Sequence, residues 1–449
     1  MNILQISTLD QGGGAERIAA TLQEAYIALG HQATLAVGIK RTDVPGVVSV
    51  SNHSTGARCA KLRWAMYDSL RQRRTPFHGI TRLTDLTHTL ASPSSWWNRR
   101  SGFEDFNYPG TWDLLAKTEP LPDIIHGHNL HGQYFDLRAL PLLSARIPVV
   151  LTLHDEWTYT GHCACALGCD RWMTGCGTCP NLSTPPAIVR DGTASNWLRK
   201  QDIYARSRLH VVAPSKWLLD RAESSILARG IVKGRVIPNG VDTRVFHPGD
   251  RDAARRKLGL PAEAHILLFC ANGGRANPYK DYGTMWAAVR SLTVERSSNP
   301  LLFVVVGDEA PAERVGDAGV RFVGLERSAS RMALYYQAAD SYIHAARSEV
   351  WGLTVTEALA CGTPVVATAV GGIPEQIRDT ETGFLTPPGD AGSMAEAIQT
   401  LLDDDERRSA MGAAAGRDAA DRFSLEQMAS NYLQLYREVV QQGSGHSEH

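Results

Sequence analysis

The chain has 449 residues, of which 43% are hydrophobic and 21% charged, and its formal net charge is -1. This length predicts two domains rather than one, while the balanced charge and ordinary apolar fraction exclude a disordered chain and a general nucleic-acid-binding surface. The N-terminus lacks the basic and apolar regions of a signal peptide, and the sequence contains no apolar run of about 18 residues, so we expect a cytoplasmic protein.

The N-terminal segment predicts the opening of a Rossmann-type domain. A strand NILQIS leads into the glycine-rich loop TLDQGGGAER, a helix and a second strand ATLAVGI. Gly13 and Gly14 in this loop allow a phosphate or a sugar to approach the backbone closely. Because the loop lacks the G-x-G-x-x-G spacing of a dinucleotide site, a dehydrogenase is disfavoured.

Residues 52–115 interrupt the strand pattern. Between 51 and 100 there are nine Lys or Arg residues against two acidic ones, interleaved with aromatic side chains at Trp64, Tyr67, Phe77, Trp96 and Trp97. One interpretation is a solvated helical excursion. The other is a surface helix that rests on anionic lipid and admits a lipid-linked acceptor, because basic amphipathic segments bind membranes in this way.

The first half continues with three short apolar runs that predict buried parallel strands. They are DIIHGHN, PVVLTLHD and LHVVAPS, at 123–129, 148–155 and 209–215. His154 lies at the end of the second run, where a lone histidine is more often structural than functional. Asp155 beside it is placed either to orient the imidazole or to meet an acceptor hydroxyl.

A loop at 156–182 follows, and five of the eight cysteines fall within it. In a reducing cytosol such a cluster is more often a metal site than a set of disulfides.

From residue 262 the strand and helix pattern starts again, with strands HILLFCAN, LLFVVVGD, RFVG, SYIHAA and PVVAT. The sequence therefore predicts an α/β protein with two Rossmann-like, doubly wound parallel-sheet domains. We expect an N-terminal domain over 1–245, a C-terminal domain over 262–425, and a C-terminal helix and tail over 426–449.

The segment GGRANPYKDY places Arg275 and Lys280 after the first strand of the second half. A guanidinium and an ammonium group suit the two phosphates of a diphosphate. Such a pair is often mere surface charge, but open α/β sheets bind ligands at the carboxyl ends of their strands, which favours a functional role.

In SEVWGLTVTEALACGTPVVAT, Glu349 and Glu357 are separated by eight positions. In a continuous helix they would lie about 12 Å apart, further than the roughly 5–9.5 Å of glycoside hydrolases. They are better placed to hold two ends of one long ligand, although two solvated carboxylates are the simpler alternative. Gly352 and Leu353 between them would present backbone N–H groups at a helix N-terminus, which suits phosphate.

Together these segments resemble the retaining GT-B glycosyltransferases of family 4. The resemblance rests on the E-x7-E element, the Arg/Lys pair, VVVGD and VIPNGVDTRVFHP, and covers most of 235–390. It implies two domains facing across a cleft, with a nucleotide diphosphate sugar as donor in the C-terminal domain. It also implies retention of anomeric configuration by front-face displacement, without a catalytic metal.

The resemblance also assigns roles to individual residues. It places Arg275 and Lys280 on the diphosphate, Glu349 on the transferred sugar and Glu357 on the ribose, and gives His154 a contact with the donor sugar.

The loop HDEWTYTGHCACALGCDRWMTGCGTCP is similar to a TGxC…C…GCxxCP loop of bacterial exopolysaccharide and colanic-acid-type members. The matching positions are Cys163, Cys169, Cys176 and Cys179, with His162 and Cys165 as spare ligands. Four thiolates with one C-x-x-C pair suit a tetrahedral structural zinc. Disulfides and simple buried thiols are the alternatives.

The resemblance implies transfer of a hexose to a glycan acceptor, which we expect to be lipid-linked and met by a peripheral enzyme at the inner face of the membrane. Two enzymatic alternatives are a glycosyltransferase acting on a soluble small molecule and a sugar phosphorylase. A third is a catalytically silent subunit that only binds sugar nucleotides. No nucleic-acid partner is expected.

Overall fold

The computed structural model describes residues 1–52, 58–73, 79–118, 120–292 and 300–444. Parts of the predicted insertion at 52–115, including Phe77, and the last residues of the predicted tail lie outside the described residues. The chain divides into two compact units: unit 1 comprises Met1–Ile237 and Ala429–His449, and unit 2 comprises Pro238–Met428. Among the described helices, none has the length and apolar character needed to cross a bilayer.

Unit 1 contains a seven-stranded sheet in which every neighbouring pair is parallel. Its strands are β1 (Asn2–Leu9), β2 (Gln32–Ile39), β3 (Val47–Ser49), β4 (Ile124–Gly127), β5 (Val149–Thr152), β6 (Leu209–Ala213) and β7 (Ile231–Val236). Their spatial order is β3-β2-β1-β4-β5-β6-β7. The central strands β4, β5 and β6 are buried along their whole length, as expected for a sheet covered on both faces.

In the described ranges of the first part of the chain, seven helices accompany these strands. They are α1 (Gly14–Ala28), α2 (Arg58–Arg71), α3 (Ile80–Ala91), α4 (Pro93–Arg100), α5 (Leu140–Arg146), α6 (Thr193–Ala205) and α7 (Lys216–Glu223). In α1 the buried side chains include Ile18, Leu22 and Tyr26, a spacing of four residues that keeps one face towards the core. Short 3-10 turns occur at Pro109–Asp113, Leu115–Lys117, Leu137–Ala139, Arg171–Met173 and Ile226–Gly230.

Unit 2 contains the second seven-stranded sheet, with the order β10-β11-β9-β8-β12-β13-β14. Its strands are β8 (His265–Cys270), β9 (Leu301–Val306), β10 (Glu313–Val315), β11 (Ala318–Val323), β12 (Ser341–His344), β13 (Val365–Thr368) and β14 (Gly383–Thr386). Only the pair β10 and β11 is antiparallel among the described strands of this sheet. Alternate residues of β8 belong to two separate core clusters, with Leu268 in one and Leu267 in the other, so both faces of this sheet are covered.

The helices of unit 2 pack on these two faces. They are α8 (Arg251–Leu258), α9 (Tyr282–Ser291), α10 (Ala329–Ala338), α11 (Leu353–Ala360), α12 (Ile373–Gln376), α13 (Ala391–Asp403) and α14 (Asp405–Arg422), with a 3-10 turn at Gly274–Ala276. The last helix, α15 (Leu425–Ser444), begins in unit 2 and belongs to unit 1 from Ala429 onwards. The predicted pair of Rossmann-like parallel-sheet domains is thus confirmed.

Each sheet reverses its winding direction at one place, between β1 and β4 in unit 1 and between β8 and β12 in unit 2. Successive strands run outwards in opposite directions from this point, so the loops that follow the two central strands diverge and leave a crevice. Ligands of open α/β sheets bind at the carboxyl ends of the strands beside this switch point.

The insertion of unit 1 forms α2, α3 and α4. One side of this group buries a stack of rings, in which His88 lies 4.8 Å from Tyr67 and 5.6 Å from Tyr108 between ring centroids. The other side leaves large apolar side chains exposed, namely Leu62, Met66, Leu83, Leu86, Leu90, Trp96 and Trp97. We call these seven residues the exposed insertion face. The described part of the insertion from α2 to α4 carries eight Lys or Arg residues and two Asp residues.

Candidate functional site

Three charged or titratable side chains meet at the switch point of unit 2. Lys280 follows β8, His344 ends β12, and Glu349 lies in the loop between β12 and α11. The Lys280 ammonium donates to Glu349 Oε2 and lies 3.2 Å from His344 Nε2. A single bridge between Lys280 and Ala346 holds the two loops side by side. The structure therefore brings together two predicted site residues, Lys280 and Glu349, and adds His344.

Glu349 and His344 both have lowered pKa values, so neither of them holds a proton at neutral pH. Burial alone would raise the pKa of Glu349, but Lys280 and His344 outweigh it and lower the pKa to about 2. Burial, helped by the Lys280 charge, lowers the pKa of His344 to about 4. At neutral pH the group therefore contains a carboxylate, an ammonium and a neutral imidazole.

The imidazole is held in place by β12 itself. Tyr342 Oη lies 3.1 Å from His344 Nδ1 and donates to Thr354 Oγ1 at 2.8 Å. His344 was not predicted as a site residue, because one histidine inside the apolar run SYIHAA has no spacing partner. Its position at the end of a predicted strand was the available signal.

Arg275 makes a different contact from Lys280. Its Nε donates to Asp308 Oδ2 at 2.8 Å, and its guanidinium lies 4.4 Å from the ring centroid of Phe322. The side chain remains partly exposed. Asp308, which follows β9, therefore orients Arg275 at the carboxyl edge of the sheet, next to the strand that precedes Lys280.

Helix α11 begins at Leu353, with Gly352 as its N-cap and no capping side chain. The buried amide of Gln376 accepts from the Gly352 N–H at 3.0 Å and donates to the Gly352 carbonyl at 2.9 Å. Because Gln376 uses the Gly352 N–H, the donors left for a ligand belong to the first turn that starts at Leu353. Gln376 lies outside the predicted motif and was missed.

The loop before α12 supports Glu349 from the other side. Gly372 donates its N–H to the Glu349 carbonyl at 2.9 Å. Gly371 has a φ of 56°, and a Cβ there would lie 2.0 Å from the same carbonyl oxygen. Only glycine fits this close approach, so the backbone of Glu349 is tightly fixed.

Glu357 is separated from Glu349 by the start of α11 and is buried. Its Oε2 accepts from the Tyr336 hydroxyl at 2.8 Å. The predicted contact of Glu357 with a ribose stays a prediction, since an incoming hydroxyl would have to reach this covered carboxylate.

In unit 1, His154 follows β5 and His128 follows β4, and the two imidazoles are hydrogen bonded. His128 Nδ1 lies 3.0 Å from His154 Nε2, and His128 Nε2 lies 3.0 Å from Gln5 Oε1. Burial lowers the pKa of His154 to about 4 against the opposing charge of Asp155. His154 is therefore neutral at pH 7 and is held by His128, which in turn is held by Gln5 of β1.

The glycine-rich loop of unit 1 ends at the N-terminus of α1. Gly13 is the N-cap without a capping side chain, Gly14 is the first helical residue, and both are exposed. Backbone N–H groups of this first turn are therefore open to solvent or to a ligand.

A second histidine, His131, lies beside Asp155 in the loop after β4. His131 Nε2 lies 2.7 Å from Asp155 Oδ2, whereas Asp155 Oδ1 accepts from the Trp157 N–H at 2.9 Å. His131 was not predicted as a site residue, because it is 24 residues away from Asp155 and follows a different strand.

The four predicted zinc ligands, Cys163, Cys169, Cys176 and Cys179, line one cavity together with His162. Cys179 Sγ lies 3.4 Å from His162 Nε2. None of the eight cysteines, all of which lie in the described ranges, forms a disulfide. Across the described ranges, however, no three His, Cys, Asp or Glu side chains are gathered as a metal site requires, so a structural zinc stays a prediction.

Two family models match the chain. The model for glycosyl transferases group 1 matches residues 250–418, and the model for Glycosyltransferase Family 4 matches residues 12–245. The chain belongs to the group 1 and family 4 glycosyltransferases. The first match contains Lys280, Glu349 and Glu357, and the second contains His154 and the cysteine-rich loop.

Curated relatives agree with this membership. A D-inositol 3-phosphate glycosyltransferase 1 of Catenulispora acidiphila is 32% identical over 340 residues, which cover 72% of this glycosyltransferase and 74% of the relative. The D-inositol 3-phosphate glycosyltransferase of Thermobispora bispora is 34% identical over 220 residues. That match spans 46% of this chain and only 50% of the relative.

Solved structures share the fold at lower identity. A sucrose-phosphate synthase from Thermosynechococcus elongatus has a TM-score of 0.62 at 21% identity, covering 98% of this chain and 99% of that chain. Anabaena HepE in complex with UDP-glucose has a TM-score of 0.59 at 16% identity, covering 98% of this chain and 100% of that one. These likenesses confirm the predicted GT-B architecture.

Proposed function

We propose that this chain is a retaining glycosyltransferase that moves a hexose from a nucleotide diphosphate sugar to a glycan acceptor in exopolysaccharide or cell-surface polysaccharide biosynthesis. The observation that carries the proposal is the cluster of Lys280, His344 and Glu349 at the switch point of unit 2. The UDP-glucose complex of HepE, a protein of the same fold, supports a sugar nucleotide as donor.

In this proposal unit 2 binds the donor. Lys280 and Arg275 contact the diphosphate, assisted by the free N–H groups at the start of α11, and Glu349 contacts the transferred sugar. Glu357 is assigned to the ribose. Lys280 then exchanges part of its contact with Glu349 for a phosphate oxygen, so the ammonium remains paired before and after binding.

The reaction breaks the bond between the anomeric carbon and the diphosphate oxygen, and the electron pair remains on the leaving phosphate. The acceptor oxygen bonds to the same face of the anomeric carbon, and its proton passes to that phosphate. Fixed cations beside the leaving group stabilise its developing charge. His154, neutral at pH 7, offers a ring nitrogen to a sugar hydroxyl from unit 1.

The exposed insertion face supports a lipid-linked acceptor. Seven large apolar side chains point outwards from three short helices that carry a basic excess. This combination suits the interface of an anionic bilayer, where apolar side chains enter the headgroup boundary and arginines meet phosphates. A peripheral position on the inner face of the membrane follows from this part of the proposal.

A soluble acceptor is the second candidate. It is favoured by the names of the relatives, which are D-inositol 3-phosphate glycosyltransferases. This alternative shares the donor site but makes no use of the exposed insertion face.

Both candidates are tested by one assay. Purified protein is titrated with UDP, GDP and ADP sugars by calorimetry, and transfer of labelled hexose is measured to two acceptors. One acceptor is a polyprenyl-diphosphate glycan in vesicles with anionic lipid, and the other is inositol 3-phosphate in solution. We expect binding of one nucleotide sugar, and transfer to the vesicle-borne glycan that exceeds transfer to the soluble acceptor.

The other outcomes are equally informative. Efficient transfer to inositol phosphate alone would replace the lipid-linked acceptor by the soluble one. Nucleotide binding without transfer to either acceptor or to water would indicate the silent subunit. Well-folded protein that binds none of the sugar nucleotides would contradict the donor site itself.

A further inference from the structure

His131 occupies the switch point of unit 1, where the proposed acceptor half is expected to bind its ligand. It follows β4, whose neighbours in the sheet are β1 and β5. Its partner Asp155 follows β5. Two neighbouring strands thus direct an imidazole and a carboxylate to the same carboxyl edge, where they make a contact of 2.7 Å.

The backbone around His131 is fixed by several independent contacts. Thr8, near the end of β1, donates its hydroxyl to the carbonyls of Asn129 and His131 at 3.1 and 3.0 Å. Gly132 has a φ of 105°, and a Cβ there would lie 2.6 Å from the Thr8 methyl group. Arg71 of α2 donates to the Gly132 carbonyl at 2.7 Å. A loop bonded to β1 and to α2 cannot move the imidazole freely.

Both carboxylate oxygens of Asp155 are bonded to the protein. Asp155 Oδ2 bonds His131, and Oδ1 accepts from the Trp157 N–H. Trp157 is buried and its ring lies 5.2 Å from the His131 ring. Asp155 therefore holds the His131 imidazole in one orientation.

The imidazole, in contrast, has a free nitrogen. Nε2 is committed to Asp155, and among the described residues no protein atom is hydrogen bonded to His131 Nδ1. About 21% of the side chain is exposed. In a partly exposed imidazole that a carboxylate orients, a ring nitrogen without a described protein partner is a hydrogen-bonding position for a ligand.

We propose that His131, oriented by Asp155, binds a hydroxyl group of the acceptor through Nδ1. A hydroxyl can accept a hydrogen bond from a protonated Nδ1 or donate one to a bare Nδ1, so the contact holds in either protonation state. The inference rests on the proposed glycosyltransferase function and assigns an acceptor-binding residue within it. The acceptor class that it implies is a molecule with a hydroxyl group, as sugars have.

The two ring nitrogens can be tested separately. His131→Gln keeps a polar atom near the position of Nε2 and removes the one at Nδ1, whereas His131→Asn does the reverse. We expect the acceptor KM to rise about tenfold in His131→Gln, as the loss of one hydrogen bond predicts, and only about two- to threefold in His131→Asn. The donor KM and kcat should change little in both. His31→Gln, at a partly exposed histidine of the same unit, is the matched control.

Each outcome distinguishes the inference from the function on which it rests. An unchanged acceptor KM in His131→Gln, with transfer intact, overturns the inference and leaves the function standing. Equal losses in both variants, accompanied by a lower melting temperature, indicate a structural residue and also overturn it. If the wild-type protein neither binds a nucleotide sugar nor transfers a hexose, both the inference and the proposed function are wrong.

A second measurement avoids substitution altogether. In the wild type, the acceptor should protect His131 from carbethoxylation by diethyl pyrocarbonate, as measured by peptide mass spectrometry, while His31 remains equally reactive. Equal reactivity of His131 with and without saturating acceptor contradicts the inference.

Discussion

The charge of Glu349 depends on two neighbours, of which only Lys280 is a cation at neutral pH. Lys280→Ala leaves the carboxylate beside the neutral His344 and removes an ammonium group from the proposed diphosphate site. We expect Lys280→Ala and Glu349→Ala each to lower transfer by at least about 100-fold, since fixed charges at a leaving group contribute on this scale. The measurement is the initial rate at saturating acceptor, together with donor affinity by calorimetry.

Lys216→Ala provides the matched control for Lys280. Lys216 is 71% exposed and pairs with Asp220 one helical turn away in α7, a contact of the kind that contributes little. Transfer in this variant should equal that of the wild type. A rate within about threefold of wild type in Lys280→Ala or Glu349→Ala would contradict the site assignment.

Site residues could be predicted from the sequence where they lie within one recognisable motif. Lys280 and Glu349 were found because a cation after a strand and two carboxylates around a helix start are patterns within one segment. Gln376 and His131 were missed because their partners are 24 residues distant. Such pairs come together only when the backbone folds, so no spacing within a short segment predicts them.

The cysteine-rich loop is the element whose prediction the structure leaves open. Loop 156–182 contains one short 3-10 turn, and four of its thiols line a single cavity. Protein purified under reducing conditions should contain about one equivalent of zinc, because four thiolates can order a loop that has little core of its own. The check is elemental analysis by mass spectrometry.

Two variants sharpen this test. Cys176→Ser should release the zinc and lower the melting temperature, whereas Cys59→Ser, at an exposed thiol of α2, should do neither. Protein that is fully folded with less than about a tenth of an equivalent of zinc would favour buried thiols instead. Mass shifts of two units per cysteine pair would indicate disulfides.

Other elements followed more directly from their patterns. Short apolar runs bounded by turns predicted β4, β5 and β6, since strands buried on both faces need no alternation. The sequence pattern of the insertion was harder to interpret, because α2, α3 and α4 together contain both buried and exposed large apolar side chains. Their aromatic residues divide between a buried ring stack, which includes Tyr67, and an exposed face, which includes Trp97. Composition alone cannot make this division.

At the scale of the whole molecule, the repetition of strand and helix was sufficient to predict two doubly wound sheets. Right-handed crossovers leave few ways to arrange such a repeat. The place of α15 could not be predicted from order along the chain. Its side chains Tyr432 and Tyr436 bond Thr152 and His126 in the core of unit 1, across separations of 280 and 310 positions in the sequence.

Buried neutral histidines in both units give the molecule a definite pH dependence. The pKa of His154 and that of His344 are lowered by burial to about 4, whereas a histidine in the unfolded chain titrates near 6.5. Well above pH 6.5 these histidines are neutral in both the folded and the unfolded state, so the free energy of unfolding has its full value. As the pH falls from 6.5 to 4, the histidines are protonated in the unfolded state but not in the folded state. The free energy of unfolding therefore decreases across this pH range.

We therefore expect the free energy of unfolding, measured by urea titration, to be lower at pH 5.5 than at pH 7.5 by about 1 to 1.5 kcal/mol for each such histidine. His344→Gln should reduce the part of this change that belongs to unit 2, because glutamine does not titrate. His247→Gln, at an exposed histidine of the same unit, should leave the pH dependence unchanged. If His344→Gln and the wild type lose stability equally, His344 is already protonated in the folded state at pH 5.5, and the cluster with Lys280 and Glu349 has a different charge from the one proposed.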